Sequence, residues 1–308
     1  MGGYCARFVS DELRILCRDC FSSISALELK DTKALLVDDR EEFTIQHLAR
    51  MQPLESVVAR PRGDWLFELL QDGRIFSHFQ PIVEAKNPQN VFGYECLARG
   101  RTRSGEILSP KTMFSIANAA DMLFHLERCC RVAAIRGAKE HGITQSLFIN
   151  FNPNTIYSPE FCLKATLRAI EQAEINPACV VFEVIESEEV KDVSHILEVL
   201  DFYRDHGFRV ALDDLGAGYS SLRLLSLLKP DFIKLDIGLV QHVDEDPYRA
   251  VITQNILEMA RRLGVQTIAE GVETAGEWHW LREHEVDFVQ GFLFARPTVP
   301  PVPVVVPV

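Results

Sequence analysis

From residue 67 onward, short apolar runs alternate with longer stretches in which apolar residues recur at helical spacing. Short runs read as buried strands, and the longer periodic stretches read as amphipathic helices packed on one face. The pattern predicts strands at 75–83, 92–98, 146–151, 180–185, 210–215, 232–237, 265–269 and 288–294. It predicts helices at 122–140, 159–173, 190–206, 248–263 and 275–284. Eight strands with intervening helices fit a (β/α)8 barrel of the TIM type. A doubly wound open sheet is the structural alternative. Such a sheet usually carries a glycine-rich phosphate loop after an early strand, and the sequence has neither GxGxxG nor GxxxxGK[ST].

Residues 1–66 stand apart. Residues 11–29 alternate apolar and polar positions at roughly helical spacing, and Pro61-Arg-Gly-Asp64 reads as a linker. Ala34-Leu-Leu-Val-Asp-Asp39 briefly resembles the first strand of a response-regulator receiver, but too few residues follow to complete one. The organisation expected is a small, mainly helical N-terminal segment at 1–66 with a regulatory or dimerising role. A barrel at 67–298 and a Pro/Val-rich tail at 299–308 follow.

The polar residues inside the apolar runs carry the chemistry. Tyr94-Glu-Cys-Leu-Ala-Arg99 puts Glu95, Leu97 and Arg99 on one strand face. Leu147-Phe-Ile-Asn-Phe-Asn152 ends on Asn150, and Val180-Val-Phe-Glu-Val-Ile-Glu186 sets Glu183 inside a buried-looking strand. Ile233-Lys-Leu-Asp236 carries Lys234 and Asp236 on a common face. Thr267-Ile-Ala-Glu270 ends on Glu270, and Val289-Gln-Gly-Phe292 carries Gln290. The run from Val210 to Leu212 ends on two adjacent acids, Asp213 and Asp214. Gly216, Gly218 and a Ser-Ser that can open a helix follow. Taken alone, that stretch is also compatible with an ordinary strand-end turn.

In a barrel, the carboxyl ends of the strands converge on one mouth. Glu95, Glu183, Asp213, Asp214 and Glu270 would crowd there. Unpaired buried carboxylates cost several kcal/mol each, and Lys234 and Arg99 cannot compensate five of them. Divalent cations resolve the conflict, and all-oxygen ligands favour hard ions such as Mg²⁺ or Mn²⁺. Taken singly, each residue has a plainer explanation: an edge-strand charge for Glu95, a snorkelling side chain for Lys234, a turn former for Asn150.

Composition narrows the classes. Of 308 residues, 47% are hydrophobic and 25% charged, which is globular usage. A net charge of −12 argues against a non-specific nucleic-acid binder. It also means that a pocket for an anion has to supply its own positive charge. No apolar run approaches membrane-spanning length, and the N-terminus lacks the order of a signal peptide. The expected location is the cytoplasm, where the 8 cysteines would be reduced. Cys17-x-x-Cys20, with Cys5 upstream, has half the spacing of a zinc site, and no second CxxC or HxxxH follows nearby.

In these motifs residues 75–297 closely resemble the EAL-domain cyclic di-GMP phosphodiesterases. The matching stretches are Phe79-Gln-Pro-Ile-Val83, Gly93-Tyr-Glu-Cys-Leu-Ala-Arg99, Ile149-Asn150, Phe182-Glu-Val-Ile-Glu186 and Asp213-Asp-Leu-Gly-Ala-Gly-Tyr-Ser-Ser-Leu222. Ile233-Lys-Leu-Asp236, Ala269-Glu-Gly-Val-Glu273 and Gln290-Gly-Phe-Leu-Phe-Ala-Arg-Pro297 complete the set. The resemblance implies a TIM-type barrel whose first strand is antiparallel to the rest. It implies hydrolysis of cyclic di-GMP to linear pGpG in bacterial second-messenger signalling, two Mg²⁺ or Mn²⁺ ions with Ca²⁺ inhibitory, and a homodimer.

Residue by residue, the resemblance makes Glu95, Asn150, Glu183 and Asp213 ligands of the first metal. Asp213, Asp214 and Glu270 would hold the second, with Asp213 bridging. Lys234 would orient or deprotonate the attacking water, and Gln290 would hydrogen-bond at the same place. Arg99 corresponds to a phosphate contact, and Leu97 lies on the same substrate-facing side. Gln80, Asp236 and Pro297 match positions that hold the guanine bases. Glu186 and Glu273 correspond to acids that steady the mobile loop and Lys234, with Glu273 also facing substrate. Gly216 and Gly218 give that loop its freedom.

Three departures stand out. The family's Glu-Ala-Leu reads Glu95-Cys96-Leu97, and its Asp-Asp-Phe-Gly-Thr-Gly carries Leu215 for Phe and Ala217 for Thr. The loop changes motivate a second class of function, a cyclic di-GMP receptor with little turnover that signals through its N-terminal segment. An unrelated metal-dependent barrel hydrolase is a third. Every metal and base position is filled, which favours the enzyme.

Overall fold

The structure is a computed structural model. It describes residues 31–34, 52–54, 65–152, 155–156, 159–185, 193–216 and 221–305. The expected helix at 11–29, the receiver-like strand beyond Ala34, Cys5, Cys17 and Cys20, and the linker at 61–64 lie outside the described residues. Eight strands form the barrel: β1 (Ile75–Glu84), β2 (Val91–Arg101), β3 (Ser146–Phe151), β4 (Val180–Ile185), β5 (Arg209–Leu215), β6 (Phe232–Leu235), β7 (Gln266–Ala269) and β8 (Phe288–Val289). Their hydrogen-bonded order runs β1-β8-β7-β6-β5-β4-β3-β2, and a β1–β2 pairing closes the ring.

Neighbours from β2 round to β8 pair in parallel, whereas β1 pairs antiparallel with β8. The connection from β1 to β2 accounts for the reversal. It is a tight turn in which the Glu84 amide donates to the Asn90 carbonyl at 3.1 Å. A parallel pair needs a crossover of about a dozen residues or more, so a turn this short forces the antiparallel start. The expectation of a barrel with a reversed first strand holds.

The helices α1 (Pro110–Ala119), α2 (Leu123–Glu140), α3 (Pro159–Ala173), α4 (Val193–Asp205), α5 (Ser221–Leu228), α6 (Ile237–Val240), α7 (Pro247–Leu263) and α8 (Ala275–Glu283) occupy the connections. Their ends follow local chemistry. Asp246 caps α7 by accepting from the Tyr248 amide at 2.9 Å, and Gly264 closes it in the left-handed conformation at φ 71°. Thr274 and Glu277 form a capping box on α8. Among the described residues, no helix is long and apolar enough to cross a membrane.

The chain divides into two compact units, residues 1–75 with 100–126 and residues 76–99 with 127–308. In the first, Gly100 and Arg101 pair antiparallel with Ile107 and Leu108. Gly100 packs so closely that a Cβ there would lie 2.6 Å from Met113 Sδ.

The second unit contains the barrel interior, which is built in layers. One layer consists of Ile82, Phe148, Val181, Ala211, Phe232, Ile268 and Phe288, all buried, with Phe92 packed against them. Phe92 stacks on Phe288 with ring centroids 4.0 Å apart. The Arg209 guanidinium lies 5.0 Å from the centre of the Phe232 ring, a cation–π contact, and donates to Ser146 Oγ at 2.8 Å. These residues sit toward the amino ends of the parallel strands and plug that end.

Two expected elements end early. The strand expected at 232–237 stops at Leu235, because Asp236 turns to cap α6. The strand expected at 288–294 is only Phe288–Val289. Gly291 leaves the sheet and lies directly on the β7–α8 connection, where a Cβ would sit 1.9 Å from the Val272 carbonyl oxygen.

Candidate active site

Inward-facing strand residues recur every second position. Two residues beyond the apolar layer, toward the mouth, each strand presents a polar side chain. Phe148 leads to Asn150, Val181 to Glu183, Ala211 to Asp213, Phe232 to Lys234, Ile268 to Glu270 and Phe288 to Gln290. On β2, Gly93 fills the corresponding apolar-layer position, where a Cβ would lie 3.0 Å from the Phe148 ring, and Glu95 follows. On the reversed β1, Ile82 leads back to Gln80. The polar layer is therefore the next turn of the same alternation that builds the apolar plug.

Lys234 stands at its centre, 1% exposed. Its ammonium lies 2.6 Å from Glu183 Oε1, 2.6 Å from Glu270 Oε1, 3.0 Å from Asp213 Oδ1 and 3.9 Å from Glu95 Oε1. Gln290 Nε2 donates to Glu95 Oε2 at 2.6 Å, and Asn150 Nδ2 reaches Glu95 Oε1 at 3.5 Å. Apart from the Lys234 ammonium, no donor among the described residues meets the two buried oxygens of Glu183.

The electrostatics follow from this crowding. Burial raises the Glu183 carboxyl well above the usual range, and Glu95 and Asp213 raise it further against the pull of Lys234. Burial, with Asp213 and Glu95, pushes Glu270 up to about 8. Asp214 rises to about 6, from burial and then from Asp213. Burial alone would lower the pKa of Lys234, but Asp213, Glu183, Glu270 and Glu95 outweigh it and hold the ammonium well above its ordinary pKa. With all five carboxylates ionised, the layer would carry an excess of four negative charges over the single ammonium.

Asp213 and Asp214 come together through a backbone irregularity. The β5–β6 register shifts between Leu212 and Leu215, and Asp214 has φ 56°. A regular strand would send these neighbours to opposite faces. The left-handed turn, which Asp tolerates better than most residues, lets both serve the mouth. Asp213, Asp214 and Glu270 each offer a carboxylate oxygen, and these oxygens lie within 4.8 Å of one another. An all-carboxylate set of this kind suits a hard divalent cation, and the buried Glu183 carboxylate, offset by Lys234 alone among the described residues, fits the same need. Gly216 continues the turn at φ 110°, where a Cβ would lie 2.6 Å from Leu239 Cδ1.

A cleft of about 250 Å³ opens over this layer. Gln80, Glu95, Asp214, Asp236, Glu270, Glu273 and Gln290 line it. Asp236 also caps α6, accepting from the Gly238 amide at 2.7 Å. Glu273 is exposed at the cleft, its amide held by Glu277 at 2.9 Å, and it is not among the carboxylates around Lys234. Leu97, Arg99 and Pro297 are half-buried and do not line the cleft. The Arg99 Nη1 instead donates to the Ala98 carbonyl at 2.8 Å. Glu186, Ala217 and Gly218 lie outside the described residues. Sequence reasoning missed Ile237 and Phe292, two lining residues that are 42% and 46% exposed. The signal lies in Phe292, an apolar residue two positions past Gln290, where the apolar run outlasts the sheet.

Residues 64–297 match the EAL domain family. The chain belongs to the EAL domain family. Among EAL relatives, it is 31% identical over 235 residues to the probable cyclic di-GMP phosphodiesterase PdeG of Escherichia coli (strain K12), covering 74% of this chain and 45% of that protein. It is 30% identical over 280 residues to the cyclic di-GMP phosphodiesterase NbdA of Pseudomonas aeruginosa, covering 89% of this chain and 34% of that one. The chain thus spans less than half the length of these relatives. A standalone EAL protein of Vibrio cholerae O395, solved in its c-di-GMP-bound form, has 38% identity and a TM-score of 0.66, covering 73% of this chain and 92% of that one. The calcium and c-di-GMP complex of Klebsiella pneumoniae BlrP1 has 31% identity and a TM-score of 0.66, covering 80% of this chain and 64% of that one.

Proposed function

We propose that this chain is a phosphodiesterase that hydrolyses cyclic di-GMP to linear pGpG, using Mg²⁺ or Mn²⁺ held by the polar layer of the barrel. The observation that carries the reading is Lys234 ringed by Glu95, Glu183, Asp213 and Glu270, all within 4 Å, with Asp214 adjoining. Five acids, if all ionised, would leave four negative charges over the one ammonium, which two divalent cations would balance. Glu95, Asn150, Glu183 and Asp213 would hold one cation. Asp213, Asp214 and Glu270 would hold the other, with Asp213 shared. When bound, such cations supply positive charge at a phosphodiester and acidify water.

The chain's own residues do the rest. Lys234 lies buried beneath the cleft, its ammonium within 4 Å of the lining carboxylates Glu95 and Glu270, from where it would donate to an attacking water or to a phosphate oxygen. It can take a proton only once its four carboxylate partners are neutralised, because they hold its pKa up. Gln290 fixes Glu95 through a 2.6 Å hydrogen bond, so the carboxylate cannot rotate away. Gln80, Asp236 and Glu273 line the cleft and offer acceptors and donors to the guanine edges. The reading includes a homodimer, which would cover Tyr248, Val251, Ile252 and Leu263, apolar side chains at least half exposed on α7.

The names of the relatives and the bound c-di-GMP of the Vibrio cholerae protein support the choice of substrate. The test is incubation of the purified chain with cyclic di-GMP and Mg²⁺, followed by chromatography. Conversion to pGpG that stops on adding EDTA is the expected result. Cyclic di-GMP recovered intact after prolonged incubation would contradict the proposal.

A further inference from the structure

Asn150 ends the inward face of β3, and its side chain is weakly held at the mouth. Its described partner is Glu95 at 3.5 Å, the outer limit of a hydrogen bond. Its orientation therefore depends on the backbone that carries it. We infer that Glu127, on α2, is a positioning residue for Asn150, acting through Thr155. The inference rests on the reading of Asn150 as a metal ligand.

A continuous chain of contacts runs behind the end of β3. The Thr155 amide donates to the Asn152 carbonyl at 3.2 Å, and the Thr155 hydroxyl lies 2.8 Å from the same oxygen. That hydroxyl also lies 2.6 Å from Glu127 Oε2. Its single proton faces two acceptors, and the charged one makes the stronger bond. Glu127 is in turn opposed by Arg131 one helical turn later, Nη1 to Oε2 at 3.7 Å. Arg131 Nε donates to Thr166 Oγ1 on α3 at 3.4 Å. The turn two residues past Asn150 is thereby tied to both helices that flank β3.

The burial of this pair argues for positioning rather than stability. Glu127 is 6% exposed and Arg131 is fully buried. A buried ion pair contributes little over apolar side chains of the same volume, because desolvation offsets the attraction. What a carboxylate supplies that a leucine cannot is a directional acceptor, and here it is aimed at Thr155, in the turn that follows Asn150. Outer groups that orient metal ligands typically set affinity by about tenfold to a hundredfold.

The experiment measures Mn²⁺ binding to the full chain from the signal of free Mn²⁺ in electron paramagnetic resonance, with melting temperature recorded in parallel. Thr155→Val should weaken one of the Mn²⁺ equivalents about tenfold, and Thr155→Ser should restore it. Glu127→Leu with Arg131→Leu removes the pair without stranding a charge. It should weaken the same equivalent, and adding Thr155→Val to it should weaken it no further, since the residues act in one chain. Asn150→Ala is the reference. If Asn150→Ala weakens Mn²⁺ binding and Thr155→Val changes only the melting temperature, the positioning role is overturned while the metal site stands. If Asn150→Ala leaves binding unchanged, the reading of Asn150 as a ligand fails and takes the inference with it.

Discussion

Lys234 Nζ lies 2.6 Å from Glu183 Oε1, and neither side chain has more than 1% of its surface exposed. The pair sits one alternation above an apolar plug, so its burial is imposed by the barrel rather than by a local pocket. Lys234→Ala should lower kcat by about a hundredfold or more, the usual range for a group that positions or moves a proton. Mn²⁺ binding should remain measurable, because Lys234 is not among the proposed ligands. A variant with wild-type kcat would remove Lys234 from the reaction.

Glu95 is fixed between Gln290 at 2.6 Å and Asn150 at 3.5 Å. Glu95→Ala should raise the Mg²⁺ concentration for half-maximal rate by about tenfold to a hundredfold, and Gln290→Ala should produce a smaller shift in the same direction by freeing the carboxylate. Mg²⁺ titrations at fixed substrate compare the three proteins. Superimposable curves for Glu95→Ala and the wild type would exclude Glu95 from the cation site.

Leu215, which stands where the family has Phe, is 1% exposed. The leucine is thus a packed core side chain next to Asp214. Leu215→Ala should cost about 2–5 kcal/mol by opening a cavity at the root of Asp214, measurable by urea denaturation. An unchanged denaturation midpoint would show that the root of the loop is not packed as described.

Glu277 accepts the amides of His242, Glu273 and Thr274 at 3.0, 2.9 and 3.0 Å. Burial opposes ionisation, but these donors outweigh it and lower the pKa of the carboxyl. A folded-state pKa below the unfolded value contributes stability above the unfolded pKa. That contribution is lost as pH falls through the folded value. The stability difference between wild type and Glu277→Gln should therefore be largest near pH 7 and shrink below about pH 4, the ordinary carboxylate range. A difference that grows on acidification would contradict the hydrogen-bond geometry.

Much of the site was legible because a barrel reuses one periodicity. Apolar residues at Phe148, Val181, Phe232 and Ile268 mark the inward face, and two positions later the same face meets the mouth, so Asn150, Glu183, Lys234 and Glu270 could be read from the runs that contain them. The pairing of Asp213 with Asp214 was visible as a dipeptide, but not the left-handed turn at φ 56° that brings both to one side. The extent of β8 was misread because Gly291, Phe292 and Leu293 continue an apolar run after the sheet has ended. Only contact with Val272 reveals the break. Helix α1 escaped periodicity because it buries only Met113 and Ala117, and its Ser109-Pro110 cap was the signal to follow. The turn of Arg99 onto the preceding Ala98 carbonyl has no signature in sequence at all.

The most direct measurement is hydrolysis of cyclic di-GMP in ¹⁸O-enriched water with Mn²⁺, read by mass spectrometry of the product. Attack of a water held over Lys234, Glu183 and Asp213 predicts linear pGpG carrying a single ¹⁸O on its terminal phosphate. It also predicts no product after metal removal, and none when Ca²⁺ replaces Mn²⁺. Cyclic di-GMP that stays intact with Mn²⁺, or pGpG formed at the same rate in EDTA, would contradict it.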